Sequence, residues 1–113
     1  MALRNFLNVG LNAGVVMSKL REQQSKFAKR VALLILYAYE LGYEVTFGDA
    51  YATEGHQEGS FHYKRLAIDL NLFKFGRYLD KPEDHKPLGL FWKSLGGTWG
   101  GAWGDGNHYS WGE

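Results

Sequence analysis

The sequence predicts a small α+β domain, a short antiparallel sheet flanked by helices, on three observations. Residues 17–41 carry apolar side chains at three-and-four spacing, whereas residues 43–47 and 66–73 alternate apolar with polar positions. The whole chain has only 113 residues, enough for one core that buries roughly two thirds of the surface its unfolded form exposes. Residues 1–113 are therefore read as a single domain, with 1–16 as an N-terminal extension.

In residues 17–41, Leu20, Phe27, Val31, Leu34, Ile35, Ala38 and Leu41 line one stripe, the buried face of an amphipathic helix laid over the sheet. Ser18 is placed to cap its start and Gly42 to stop it. Tyr43, Val45 and Phe47 then alternate with polar neighbours in a first strand that ends at Gly48 and Asp49. Residues 51–60 are polar and glycine-containing, a loop. A second strand covers 66–73, with Ile68, Leu70 and Leu72 on one face and Ala67, Asp69, Asn71 and Phe73 on the other. A turn is expected over 75–80, and a short helix over 87–95 with Leu88, Phe91, Trp92 and Leu95 inward. The glycine-rich stretch 96–112 holds Trp99, Trp103 and Trp111. It is read as tight backbone turns whose rings close over the core or form a cleft wall.

Composition removes several classes of function. Lys and Arg number 13 against 12 Asp and Glu, for a net charge of +1, which is too balanced for an obligatory nucleic-acid partner. The absence of cysteine excludes disulfides, thiolate metal sites and Cys nucleophiles, so any metal must be held by His and carboxylates. No phosphate-binding glycine loop is present. The N-terminal stretch is broken by Asn5, Asn8, Asn12, Gly10 and Gly14 and has no signal-peptide core. The longest apolar run, 31–38, is far short of the roughly 20 residues that span a bilayer. The chain is expected to be soluble.

Two segments carry the chemistry. Ser60, His62, Arg65 and Asp69 lie close together, and Asp105 and His108 answer them near the C-terminus. They offer two imidazoles and a carboxylate for zinc, plus a second carboxylate to act as a base. A catalytic zinc typically takes three protein ligands and leaves a fourth position for water. Seven residues of straight strand would separate His62 from Asp69 by about 23 Å and put them on opposite faces. One ion reaches both only if the chain folds back, most economically through a turn at residues 63–65. Asp105 and His108, three apart across a glycine, can share one tight turn. Each residue also has a plainer reading: a histidine as an ordinary polar residue, Asp69 paired with a surface lysine, Asp105 and Gly106 as a turn dipeptide. His56 and His85 fall outside the two segments and are read that way.

The pattern Ser-x-His-x6-Asp, with Ala67 two residues before Asp69, followed by an acidic residue three positions before a His in a Trp-rich setting, resembles the zinc D-alanyl-D-alanine carboxypeptidases and dipeptidases. The similarity is greatest to that family's phage L-alanyl-D-glutamate endopeptidases, through LAIDLNLF at 66–73, PLG at 87–89 and WGGAW at 99–103. It covers residues 20–113. The resemblance implies a hedgehog-like, DD-peptidase-like zinc peptidase fold, and the site is expected at one edge of the sheet. It implies that His62, Asp69 and His108 bind Zn2+, that Asp105 is the catalytic acid and base, and that Ser60 supports the site. The implied activity is hydrolysis of the L-alanyl-D-glutamate bond of the peptidoglycan stem peptide by a monomeric endolysin. It would be made in the host bacterial cytoplasm and released to the cell wall through a holin lesion. The alternatives are a D-Ala-D-Ala carboxypeptidase and a non-catalytic wall-binding module.

Two positions depart from the family pattern. Arg65 stands where the family commonly has glycine, although a basic residue there recurs in the endolysin branch. Upstream, where the family often has an aromatic, Arg, then Ser or Thr, this chain has Tyr51, Ala52 and Thr53. A positioned cation is often a large electrostatic contribution in such catalysis, so either Lys64, Arg65 or His56 supplies it, or the substrate is held differently.

Overall fold

In the computed structural model, which describes residues 19–52, 54–55 and 59–112, the long apolar stripe is helix α1, Lys19–Glu40. Phe27, Val31, Leu34 and Ala38 are buried and Ile35 is packed against them, while Leu20 and Leu41 at the two ends are exposed. The expected start at Met17 and cap at Ser18 lie outside the described residues. At the other end Gly42 takes φ +89°. The Gly42 N–H donates to Tyr39 O at 3.0 Å and the Tyr43 N–H to Ala38 O at 3.0 Å, the paired bonds by which a left-handed residue closes a helix.

Strand β1 is Glu44–Phe47 and β2 is Ala67–Lys74. In β2 the aliphatic face is buried as expected, with Leu70 and Leu72 wholly enclosed. Residues 75–80 are more than a turn. Phe75 and Gly76, at φ 52° and 74°, make a two-residue connection whose left-handed pair suits the twist of a hairpin. The chain then returns as β3, Arg77–Leu79, paired antiparallel with β2 through Leu72↔Leu79 and Lys74↔Arg77. Three residues are too few to show a period in the sequence.

Helix α2, Lys86–Ser94, buries Leu88 and Trp92. The glycine-rich tail is likewise built of elements: β4, Thr98–Trp99, a 3-10 turn at Gly100–Trp103, and β5, His108–Ser110. Among the described residues the sheet has five strands in the order β1-β2-β5-β4, with β3 also on β2. The core lies between the sheet and the two helices and centres on Leu34, Leu70, Leu72, Leu88, Trp92 and Tyr109. Trp92 ties its own helix to the sheet, since its indole N–H reaches Ser110 O at 2.9 Å and Thr98 O at 3.1 Å. Truncating a leucine in such a centre costs about 2–5 kcal/mol. No helix among the described residues is long and apolar enough to cross a membrane.

Candidate metal centre

The site grows out of one pair of strands. β2 and β5 run antiparallel with Asp69 directly opposite His108. The flanking bonds, Leu70 N–H to Asn107 O at 2.9 Å and Trp111 N–H to Leu66 O at 2.9 Å, make Asp69 and His108 a non-hydrogen-bonded pair, the kind whose side chains stand closest. Asp69 Oδ1 is 3.5 Å from His108 Nδ1. Both lie on the face turned away from Ile68, Leu70 and Leu72. β2 and β5 are the two middle strands of the sheet, so these residues sit at its centre and not at an edge as expected.

His62 joins them from outside the sheet. Ser60 accepts the His62 N–H on its Oγ at 3.3 Å and so starts the 3-10 turn Phe61–Lys64. Arg65 ends the turn in the left-handed region, φ 57° and ψ 36°, with its N–H directed back to the turn's carbonyls. The Leu66 N–H then bonds Phe61 O at 3.0 Å. The chain thus reverses between His62 and Asp69. A left-handed non-glycine residue costs roughly 1–2 kcal/mol, so the turn is made here without the residue that adopts this conformation freely. The Arg65 guanidinium lies 4.3 Å from the centre of the Tyr51 ring, a stacking that offsets about 0.5–1 kcal/mol of that cost.

His62, almost wholly buried, places Nε2 3.1 Å from Asp69 Oδ1. One donor atom from each of His62, Asp69 and His108 lies within 4.8 Å of the others. Zinc bonds of about 2.1 Å in tetrahedral array separate neighbouring donors by about 3.4 Å, so two of the three spacings already match. Two imidazoles and one carboxylate are also donors that zinc accepts at a catalytic site. The residues fit the ion. Asp105 stands at the rim, its side chain half-exposed and its Oδ2 3.9 Å from His108 Nδ1. It is close enough to share a water with the site and too far to be bonded to the imidazole.

Sequence reasoning missed what holds the Asp105 to His108 turn. The Asp105 N–H donates to Gly100 O at 2.9 Å and the His108 N–H to Asp105 O at 3.1 Å. Trp99 donates its indole N–H to Gly106 O at 2.7 Å. Two glycines let these segments touch: a Cβ on Gly100 would meet Asp105 O at 2.3 Å, and one on Gly106 would meet Pro82 Cα at 2.4 Å. The glycine-tryptophan composition was the available signal, but the partners follow only from the fold.

Behind this turn lies His85, which is also buried. Its Nδ1 is 2.8 Å from the Tyr109 hydroxyl. Burial pushes the His85 pKa below its ordinary 6.5, against the opposing pull of Asp84 and of the Leu79 carbonyl. Burial likewise pushes the Tyr109 phenol up. His85 is therefore a neutral partner in the core, in keeping with its reading as a hydrogen-bonded residue outside the two segments.

The structure gathers His62, Asp69, His108 and Asp105, with Ser60 behind His62. It does not bring Arg65 to them. The Arg65 side chain lines a groove of about 570 Å³ with Phe27, Phe47, Tyr51 and Ile68, on the aliphatic side of the sheet, since Ile68 and Asp69 face opposite ways. His56 and Thr53 lie outside the described residues. Ala52 pairs with the turn itself, donating its N–H to His62 O at 3.3 Å.

A family model described as D-alanyl-D-alanine carboxypeptidase matches residues 53–111, a span that contains all four gathered residues. No curated protein matches the chain.

Proposed function

Because the chain belongs to the D-alanyl-D-alanine carboxypeptidase family, we propose that it hydrolyses the L-alanyl-D-glutamate bond of the peptidoglycan stem peptide, as the endolysin of a phage or prophage. At family level it is a zinc-dependent metallopeptidase acting on peptidoglycan. The observation that supports metal-dependent hydrolysis is the convergence of His62, Asp69 and His108 within 4.8 Å, with Asp105 at the rim.

In this reading His62, Asp69 and His108 would hold the metal, with His62 Nε2, Asp69 Oδ1 and His108 Nδ1 the atoms that face one another. Zinc in that place supplies a Lewis acid for the scissile carbonyl and makes water acidic enough to attack near neutral pH. Asp69 would offset one positive charge of the bound ion. Asp105 accepts the proton of the attacking water and delivers it to the departing amine of D-glutamate, so a C–O bond forms as the C–N bond breaks. Ser60 positions His62 through its backbone, and Trp99 holds the Asp105 turn.

The choice of an internal bond rests on position 52. A carboxypeptidase needs a cation for the free carboxylate of its substrate. Ala52, alongside His62, offers only a methyl group there, and Arg65 faces the opposite groove. Synthesis in the bacterial cytoplasm, release through a holin lesion and action on the wall as a monomer complete the proposal. The test is digestion of purified peptidoglycan with and without a chelator, the new termini being identified by mass spectrometry. New N-terminal D-glutamate that vanishes with chelator is expected. Released D-alanine would make the chain a carboxypeptidase, and no cleavage would make it a wall-binding module.

A further inference from the structure

Trp103 is the tryptophan that packing does not explain. Trp92 is fully buried. Trp99 is hydrogen-bonded to Gly106, and Trp111 lies between Trp92 and the Arg30 guanidinium. Trp103 is 56% exposed, and its ring centre stands 6.1 Å from that of His108 at an angle of 57°. Exposing a large ring forgoes the gain of burying it, and a single exposed apolar residue would be unremarked elsewhere on a surface. Here it stands beside His108, one of the three residues that could hold the metal.

The backbone that carries the ring is closely packed. It ends the 3-10 turn Gly100–Trp103, which Gly104 closes at φ +80°. Gly101 presses so closely on Trp99 that a Cβ would stand 2.3 Å from its ring. A flat, apolar face with an indole N–H at its edge matches the flat face of a pyranose, whose C–H groups stack on the ring while its hydroxyls accept the N–H.

We propose that Trp103 is a substrate-binding residue that stacks on the amino sugar to which the stem peptide is attached. The proposal rests on cleavage of the L-alanyl-D-glutamate bond. Only L-alanine and the lactyl ether separate that scissile carbonyl from the sugar, about 7 Å of chain at 3.3–3.6 Å per residue. A ring next to His108 is within that reach. From a bond between the two terminal D-alanines the extended stem would carry the sugar about 16–18 Å away, well past a ring beside His108.

The experiment compares two substrates with the zinc-loaded full chain. One is an N-acetylmuramoyl stem tetrapeptide, and the other is the same tetrapeptide N-acetylated and lacking the sugar. Wild type is expected to cleave both before D-glutamate, with a KM about tenfold lower for the first. Trp103→Ala should raise KM for the sugar-bearing substrate about tenfold, leave kcat alone, and change the sugar-free reaction less than twofold. Trp103→Phe should recover most of the loss. If Trp103→Ala alters both substrates equally, or neither, the sugar contact is wrong while the bond assignment stands. If wild type cleaves neither before D-glutamate, the bond assignment fails and the sugar contact falls with it. Unchanged zinc content and circular dichroism of Trp103→Ala exclude misfolding as the cause.

Discussion

One methyl group at Gly100 tests whether the Asp105 turn positions catalysis. A Cβ there would lie 2.3 Å from Asp105 O and 2.9 Å from His108 Cβ, where real Cβ contacts essentially never fall under 3.0 Å. The carbonyl must retreat by at least about 0.7 Å, the difference between those two distances. That carbonyl also accepts the His108 N–H, and the Asp105 N–H is bonded to Gly100 O. The proposed base and one proposed ligand therefore move together. A displacement near 1 Å at a reacting centre can cost about 100-fold, and overpacking a tight contact costs about 1–3 kcal/mol of stability. Gly100→Ala should accordingly lower kcat by about 30- to 100-fold and weaken zinc binding, measured by steady-state peptide hydrolysis and competition with a chromogenic chelator. Gly42→Ala is the contrast. Gly42 is at φ +89° with nothing within 4 Å of its added Cβ, so the substitution should cost about 1 kcal/mol of stability and leave kcat unchanged. A Gly100→Ala enzyme with kcat within threefold of wild type would refute the reasoning.

Three further outcomes follow from particular groups. Asp105→Asn should retain one zinc per chain by elemental analysis yet lose about 10²–10⁴-fold in kcat, because Oδ2 is 3.9 Å from His108 and is not counted among the ligands; loss of zinc would assign it to the metal instead. His85 has a folded pKa below its ordinary 6.5, so the unfolded chain binds more protons, and stability present above pH 6.5 declines as pH falls below it. Urea denaturation should show a decline of at most about 1.4 kcal/mol per pH unit that His85→Gln lessens, whereas parallel profiles would contradict the assignment. Phe75 occupies φ 52° in the hairpin turn and is 94% exposed. Phe75→Asn should therefore raise stability by about 1 kcal/mol in thermal unfolding, since asparagine before glycine suits that turn.

Long periodic segments were legible because burial repeats along them. The stripe from Phe27 to Ala38 and the alternation from Ile68 to Leu72 each gave one face to the core, and both faces are buried as read. β3 and β4 were not legible, having three and two residues; pairing with β2 and β5 makes them strands, and a pairing partner leaves no local mark. Arg65 shows a different limit. Its nearness to His62 in sequence suggested a place at the site, but its left-handed backbone turns the side chain onto Tyr51 and into the groove. Gly100 and Gly106 were visible as glycines, while their need to be glycines lies in what crosses them, Asp105 O and Pro82.

The pairing of Asp69 with His108 is likewise a matter of register, and the core enforces it. A shift of β5 by one residue would turn His108 toward the helices and Tyr109 onto the polar face, since alternate residues face opposite ways. Tyr109 opposes that shift. It is fully buried, its ring meets Trp92 edge-on at 6.1 Å, and its hydroxyl is 2.8 Å from buried His85. Exposing such a side chain forfeits about 1.5–3 kcal/mol and leaves His85 without this partner inside the protein. The aromatic core behind the sheet thus fixes, one residue away, which imidazole stands opposite Asp69 on its front.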